Sequence, residues 1–171
     1  MFRKIIKFLI VIALTVSAVY GVKWYLSYKK SYTGRQWFDR QETYVKQFKT
    51  YSKGVDSVVT LYTTNRITQD AYVSHMNTFK DELLIMSRKY KQDKAEHPVR
   101  TGTYTYLTKK GCESVEKVYT HMDNLLNVIS TYDNYKHTGK LAYKFLAMQQ
   151  PIIDDMSNYY SCKDMIKEGD E

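Results

Sequence analysis

Apolar positions recur at alternating steps of three and four through most of the chain, the spacing that gathers side chains on one face of an α-helix. The first series is Trp37, Gln41, Tyr44, Phe48, Tyr51, Val55, Val58 and Tyr62. It breaks at Thr63-Thr64-Asn65. A new helix is expected from Thr68, whose hydroxyl can cap the first turn while Ile67 and Tyr72 take the two positions of a hydrophobic staple. Tyr72, Met76, Phe79, Leu83, Met86 and Tyr90 continue the rhythm to a polar connection at residues 92–96, and His97 before Pro98 disfavours helix.

The next stripe is Val115, Val118, Met122, Leu125, Ile129 and Tyr132, with a backward extension through Gly111, Thr108 and Tyr104. Residues 101–108 are rich in Thr and Tyr, so an extended segment is the alternative to a helical start there. His137-Thr138-Gly139 makes the last turn, and Leu141, Phe145, Met148, Ile152, Met156, Tyr159, Cys162 and Ile166 carry the final stripe. Pro151 is expected to kink that helix or restart it. Four stripes joined by short connections most simply fold as an all-α, antiparallel up-down four-helix bundle. An extended coiled coil between chains is the rival, but four stripes in one chain can satisfy each other without a partner.

Ahead of the bundle lies a predominantly apolar run, residues 5–26, whose charged positions are Lys7 and Lys23. As a helix it would reach about 33 Å, against roughly 30 Å for a bilayer's hydrocarbon core. Trp24, Tyr25 and Tyr28 stand at its far end, where aromatic rings favour the headgroup region, and Lys29 and Lys30 follow. The pattern predicts an N-terminal transmembrane helix, with residues 1–30 as anchor at the membrane interface and residues 31–171 as the bundle. Small residues in Val16-Ser17-Ala18 and Val19-Tyr20-Gly21 support a rival, a signal peptide removed after Ala18 or Gly21 to release a secreted binding module or inhibitor. Arg3, Lys4 and Lys7 compete with Lys23, Lys29, Lys30, Arg35 and Arg40 over orientation. The short basic tail and the signal-like leader favour the amino terminus inside and the bundle outside, in a single-pass protein of the cell membrane.

Charge follows the same division. The net +8 comes from 26 basic and 18 acidic residues, and seven of the basic ones lie in the first 35 positions. The remainder carries only +1. A nucleic-acid-binding domain needs a clustered basic surface, so a near-balanced bundle argues against that use.

Cys112 and Cys162 test the bundle. Folding the last two helices back about Thr138 sets Cys112 opposite Met165, three residues from Cys162. A disulfide is then geometrically open if the Cα atoms come within about 7 Å, and two unpaired core thiols are the alternative.

Candidate chemistry is sparse. His75, His97, His121 and His137 are scattered, and the residues three before His75 and His121 are Tyr72 and Val118, not the Glu that a carboxylate-bridged metal bundle requires. Asp154-Asp155 follows Pro151, where a fresh first turn would place acids against the helix dipole. There is no glycine-rich phosphate loop, Cys-x-x-Cys pair, His-Glu-x-x-His or nucleophile elbow. No catalytic residue, metal or cofactor is assigned. Of seventeen tyrosines, Tyr44, Tyr51, Tyr62, Tyr72, Tyr90 and Tyr132 fall on the stripes, where a ring packs while its hydroxyl reaches an acceptor. Tyr104, Tyr106, Tyr119, Tyr135 and Tyr160 lie off them, and Tyr104 with Tyr106 is the candidate partner surface. The sequence thus points to a non-enzymatic interaction or structural protein of the cell envelope, working against the lipid bilayer, an envelope protein partner or a second copy of itself.

Overall fold

Thr33 begins the bundle. Its hydroxyl accepts from the Gln36 amide at 3.2 Å while the Gln36 side chain accepts from the Thr33 amide at 3.0 Å, closing a reciprocal capping box. The structure, a computed structural model, describes residues 2–100, 102, 105–131 and 138–168, with side chains over 15–100, 102, 105–131 and 139–166. Its elements are α1 (Phe2–Lys30), α2 (Gly34–Thr63), α3 (Gln69–Glu96), α4 (Thr105–Ile129) and α5 (Thr138–Glu168). Among the described residues there is no strand, only one parallel bridge between Tyr32 and Val99.

The helix ends follow from local chemistry. Asn65 has φ 58°, and the amides of Asn65 and Arg66 donate back to the Tyr62 and Leu61 carbonyls at 3.0 and 2.8 Å, a Schellman closure of α2. Thr68 caps α3 by accepting from the Ala71 amide at 3.3 Å, Ile67 packs against the core and Tyr72 is fully buried in it. The α4 start at Thr105 resolves the choice over residues 101–108 in favour of helix from that point. Helix α5 runs through Pro151 without a break. Pro151 is exposed, so its ring meets solvent. Asp154 and Asp155 therefore lie in mid-helix, and the first-turn role expected of them does not apply.

Helices α2 to α5 pack as neighbours in chain order and close through α5 against α2, an antiparallel four-helix bundle. The core takes the expected stripes, including the wholly buried Gln41. It also takes Phe38, Val45 and Val59, because α2 touches α3, α4 and α5 and buries a wider face than one seam needs. Tyr119, expected off the seams, is buried against Phe48 and Tyr90 at ring separations of 5.7 and 5.6 Å. Gly111 lets α2 approach α4: a Cβ there would stand 2.7 Å from Phe38 Cζ. Tyr104, Tyr132, Tyr135 and His137 lie outside the described residues.

Tyrosine hydroxyls stitch the helices together. Tyr51 donates to the Phe79 carbonyl at 2.6 Å, Tyr72 to Ile129 at 3.1 Å, Tyr90 to Cys112 at 3.4 Å and Tyr159 to Phe38 at 3.1 Å. Each joins a buried ring to the backbone of another helix, so the hydroxyl meets an acceptor instead of being stranded in the core.

The leading helix behaves differently. Every described side chain of α1, residues 15–30, is exposed. Among the described residues, no helix is long and apolar enough to cross a membrane, so the expected transmembrane helix is not confirmed there. The uncharged stretch between Lys7 and Lys23 is 15 residues, and the side chains of residues 5–14 lie outside those described.

Candidate functional site

The feature that organises this molecule is the junction where α1 meets the bundle. A helix leaves its last carbonyls without intrahelical donors. At the end of α1 the Tyr28 carbonyl accepts from the Ser31 hydroxyl at 2.6 Å, the Ser31 amide at 3.2 Å and Arg100 Nη2 at 3.3 Å. His97 Nδ1 lies 3.2 Å from the Lys30 carbonyl. Basic groups thus meet the negative end of the α1 dipole, the placement that electrostatics favours.

Two extended segments carry these groups. His97 precedes Pro98, which forces the chain out of helix, so residues 98–100 run beside Ser31, Tyr32 and Thr33. The Tyr32 amide donates to the Pro98 carbonyl at 3.0 Å, and the Arg100 amide donates to the Tyr32 carbonyl at 2.9 Å. Arg100 Nε donates to the buried Ser31 hydroxyl at 3.0 Å, while its guanidinium carbon stands 4.2 Å from the Tyr28 ring centroid. Tyr32 stacks on His97 at 4.7 Å. The exit of α1 is therefore fixed by the α3–α4 connection.

Ion pairs extend this order into the bundle. Arg40 meets Asp93 at 3.2 Å between α2 and α3, and the pairing raises the arginine pKa. Lys94 meets Glu116 at 2.5 Å between α3 and α4. Lys163 of α5, almost fully buried, is held by Glu42 of α2, which also pairs with Lys46 at 3.1 Å. Hydrogen bonds from Lys163 and Lys46 pull the Glu42 carboxyl from its ordinary 4.5 down to about 2.

The residues singled out by sequence fall in three places. Trp24, Tyr25 and Tyr28 project from the final turns of α1, with Trp24 and Tyr28 stacked at 5.6 Å. Tyr106 is exposed on the first turn of α4, while Tyr104 is outside the described residues. Cys112 and Cys162 are free, buried thiols. Cys112 sits among Tyr90, Lys94 and Glu116 at the α3 side, and Cys162 lies in the field of Lys110. Burial pushes Cys112 up to about 12 and raises Cys162.

His121 Nε2 lies 3.4 Å from Asp155 Oδ2, one residue from the register that sets Cys112 opposite Met165. That pair ties α4 to α5. Among the described residues, no group of three or more His, Cys, Asp or Glu is placed to hold a metal ion. Sequence reasoning missed Ser31, Tyr32 and Arg100. The only local signal was Pro98, which predicts extended backbone but not what that backbone will touch.

Comparison with protein-family models, with curated proteins and with solved structures returns no match.

Proposed function

We propose that this chain is a membrane-tethered, non-enzymatic interaction protein: α1 sits in the bilayer of the cell membrane, and the bundle stands outside it and works through protein–protein contacts at the envelope. The observation that carries this is the contrast between α1 and the rest. Val16, Val19, Tyr20, Val22, Trp24, Tyr25, Leu26 and Tyr28 of α1 are all exposed, whereas the buried apolar residues of the core run from Trp37 to Ile166. Leaving so much contiguous apolar surface in water costs about 25 cal/mol per Å², and exposed patches beyond a few hundred Å² commonly meet lipid or protein.

Lys7 and Lys23 stand by sequence near the two ends of the run, the positions at which a spanning helix tolerates lysine. Counted from residue 5 to 26, the segment is then long enough. The junction supports the same use, because a tether that positions its cargo needs a fixed exit, and Arg100 with His97 supplies one. The bundle surface then faces its partner from a set height above the lipid.

The rival is a soluble exported module freed by cleavage after Ala18 or Gly21. It is favoured by one observation, that no described α1 side chain enters the core, so the bundle's packing survives loss of the leader. Membrane flotation of the full chain, with the mass of the mature protein, decides between them. An intact chain that floats with vesicles and resists alkaline carbonate supports the tether; a shortened chain in the aqueous fraction overturns it.

A further inference from the structure

The outward face of α5 carries a second pattern. Tyr143, Leu146, Gln150, Ile153, Ser157 and Tyr160 recur at steps of three, four, three, four and three, and all six are exposed. Tyr143, Leu146 and Ile153 are 77, 64 and 55% exposed, although they sit on a helix whose opposite face is core. The ladder spans about 26 Å along the helix. Its spacing is that of a helix–helix seam.

We infer that this face of α5 pairs with the same face of a second copy of the chain, the two helices parallel and in register across a two-fold axis. The inference names the partner for the tethered protein proposed above and rests on that tether for its orientation. Charge is the first argument. No ladder position from residue 143 to 160 is charged, and the flanking positions 142, 147, 149, 156 and 161 are Ala, Ala, Gln, Met and Ser. In a parallel two-fold seam each residue meets its own copy, which like charges would oppose and an uncharged ladder permits. The flanking acid, Asp154, accepts from Gln150 Nε2 at 2.8 Å within its own helix. The groove beside Gln149 and Ile153 holds Lys53 and Asp56 of α2, one charge of each sign, while the grooves on either side of α3 hold Lys46, Lys89, Lys91, Glu82, Glu116 and Asp123.

Small flanks are the second argument. Ala142, Ala147 and Ser161 let two backbones approach. The third is confinement. A single seam buries less than the roughly 800 Å² per partner of a standard stable interface, so it would be weak in free solution. Chains held in one leaflet meet at a high effective concentration with α5 pointing the same way, which raises occupancy without new contacts.

The test uses the full chain in dilute proteoliposomes, with Leu146→Cys and Tyr160→Cys variants of the ladder reconstituted singly and as a one-to-one mixture, and Lys117→Cys on exposed α4 as control. Mild oxidation should link position 146 to 146 and 160 to 160, on the order of tenfold above the control. Adding Ile153→Asp should abolish both links with helicity unchanged by circular dichroism. Flotation of the same vesicles separates the two proposals. Floating chains that link no better than the control, or only 146 to 160, overturn the parallel seam; chains that link but do not float keep the seam and overturn the tether.

Discussion

The Arg100 guanidinium stands 4.2 Å over the Tyr28 ring and donates to the Tyr28 carbonyl at 3.3 Å, joining the connection after α3 to the last turn of α1. Cutting that link tests the fixed junction. Arg100→Ala removes a cation–π contact and two side-chain hydrogen bonds, together worth about 1 kcal/mol at an exposed site. Exchange of the Tyr32 amide, which donates to Pro98, should speed up on the order of fivefold. Bundle amides such as that of Leu125 should hold. Unchanged exchange at Tyr32 would contradict the latch.

Acid should weaken the bundle through Glu42. Its folded carboxyl is held at about 2 against an ordinary 4.5, so the stabilisation is present above the ordinary range and is lost as pH falls from 4.5 towards 2. Glu42 is one-third exposed, so screening limits the contribution to about 1 kcal/mol. Glu42→Gln should flatten that part of the stability–pH curve. It should also cost about 1–3 kcal/mol near neutrality, because Lys163 stays buried without its counter-charge. Denaturant melts at several pH values check both.

Gln41 points to a gain. Its side chain is fully buried and neither amide atom has a hydrogen-bond partner among the described residues. A stranded buried amide costs about 1–3 kcal/mol. Gln41→Leu, close in volume and apolar, should stabilise the bundle by about 1 kcal/mol in a denaturant melt; a loss of that size would contradict the assignment.

The thiols should be silent until the bundle opens. Cys112, pushed up to about 12 by burial, carries almost no thiolate at mildly alkaline pH, and Cys162 is likewise buried. Native protein should therefore resist maleimide, and denatured protein should take up two equivalents, one at each of these positions. Denatured protein that takes up none would show a disulfide in place of two thiols.

Much of this architecture was legible in the sequence because it is local. Spacing alone assigned Trp37 through Tyr62 to one face and Leu141 through Ile166 to another, and Thr68 announced its own cap. What escaped was set by tertiary contact. Phe38 and Val45 are buried because α2 touches three helices, and Tyr119 because α4 turns it towards Tyr90. Pro151 does not end α5, because its side of the helix faces solvent. The junction pairs Ser31 with Arg100, 69 positions apart, and no local pattern encodes that meeting. The exposed ladder on α5 was hidden behind the stronger core stripe one step away.

The most direct test of the tether is the fluorescence of Trp24 in vesicles containing brominated lipid. Trp24 is exposed on α1 at 69% while Trp37 is buried in the bundle at 1%, so contact quenching by bromine reports on Trp24. The account predicts strong quenching near the headgroup boundary that disappears in Trp24→Phe. Emission that is indifferent to brominated lipid, with Trp24 still quenched by an aqueous agent such as iodide, would contradict it.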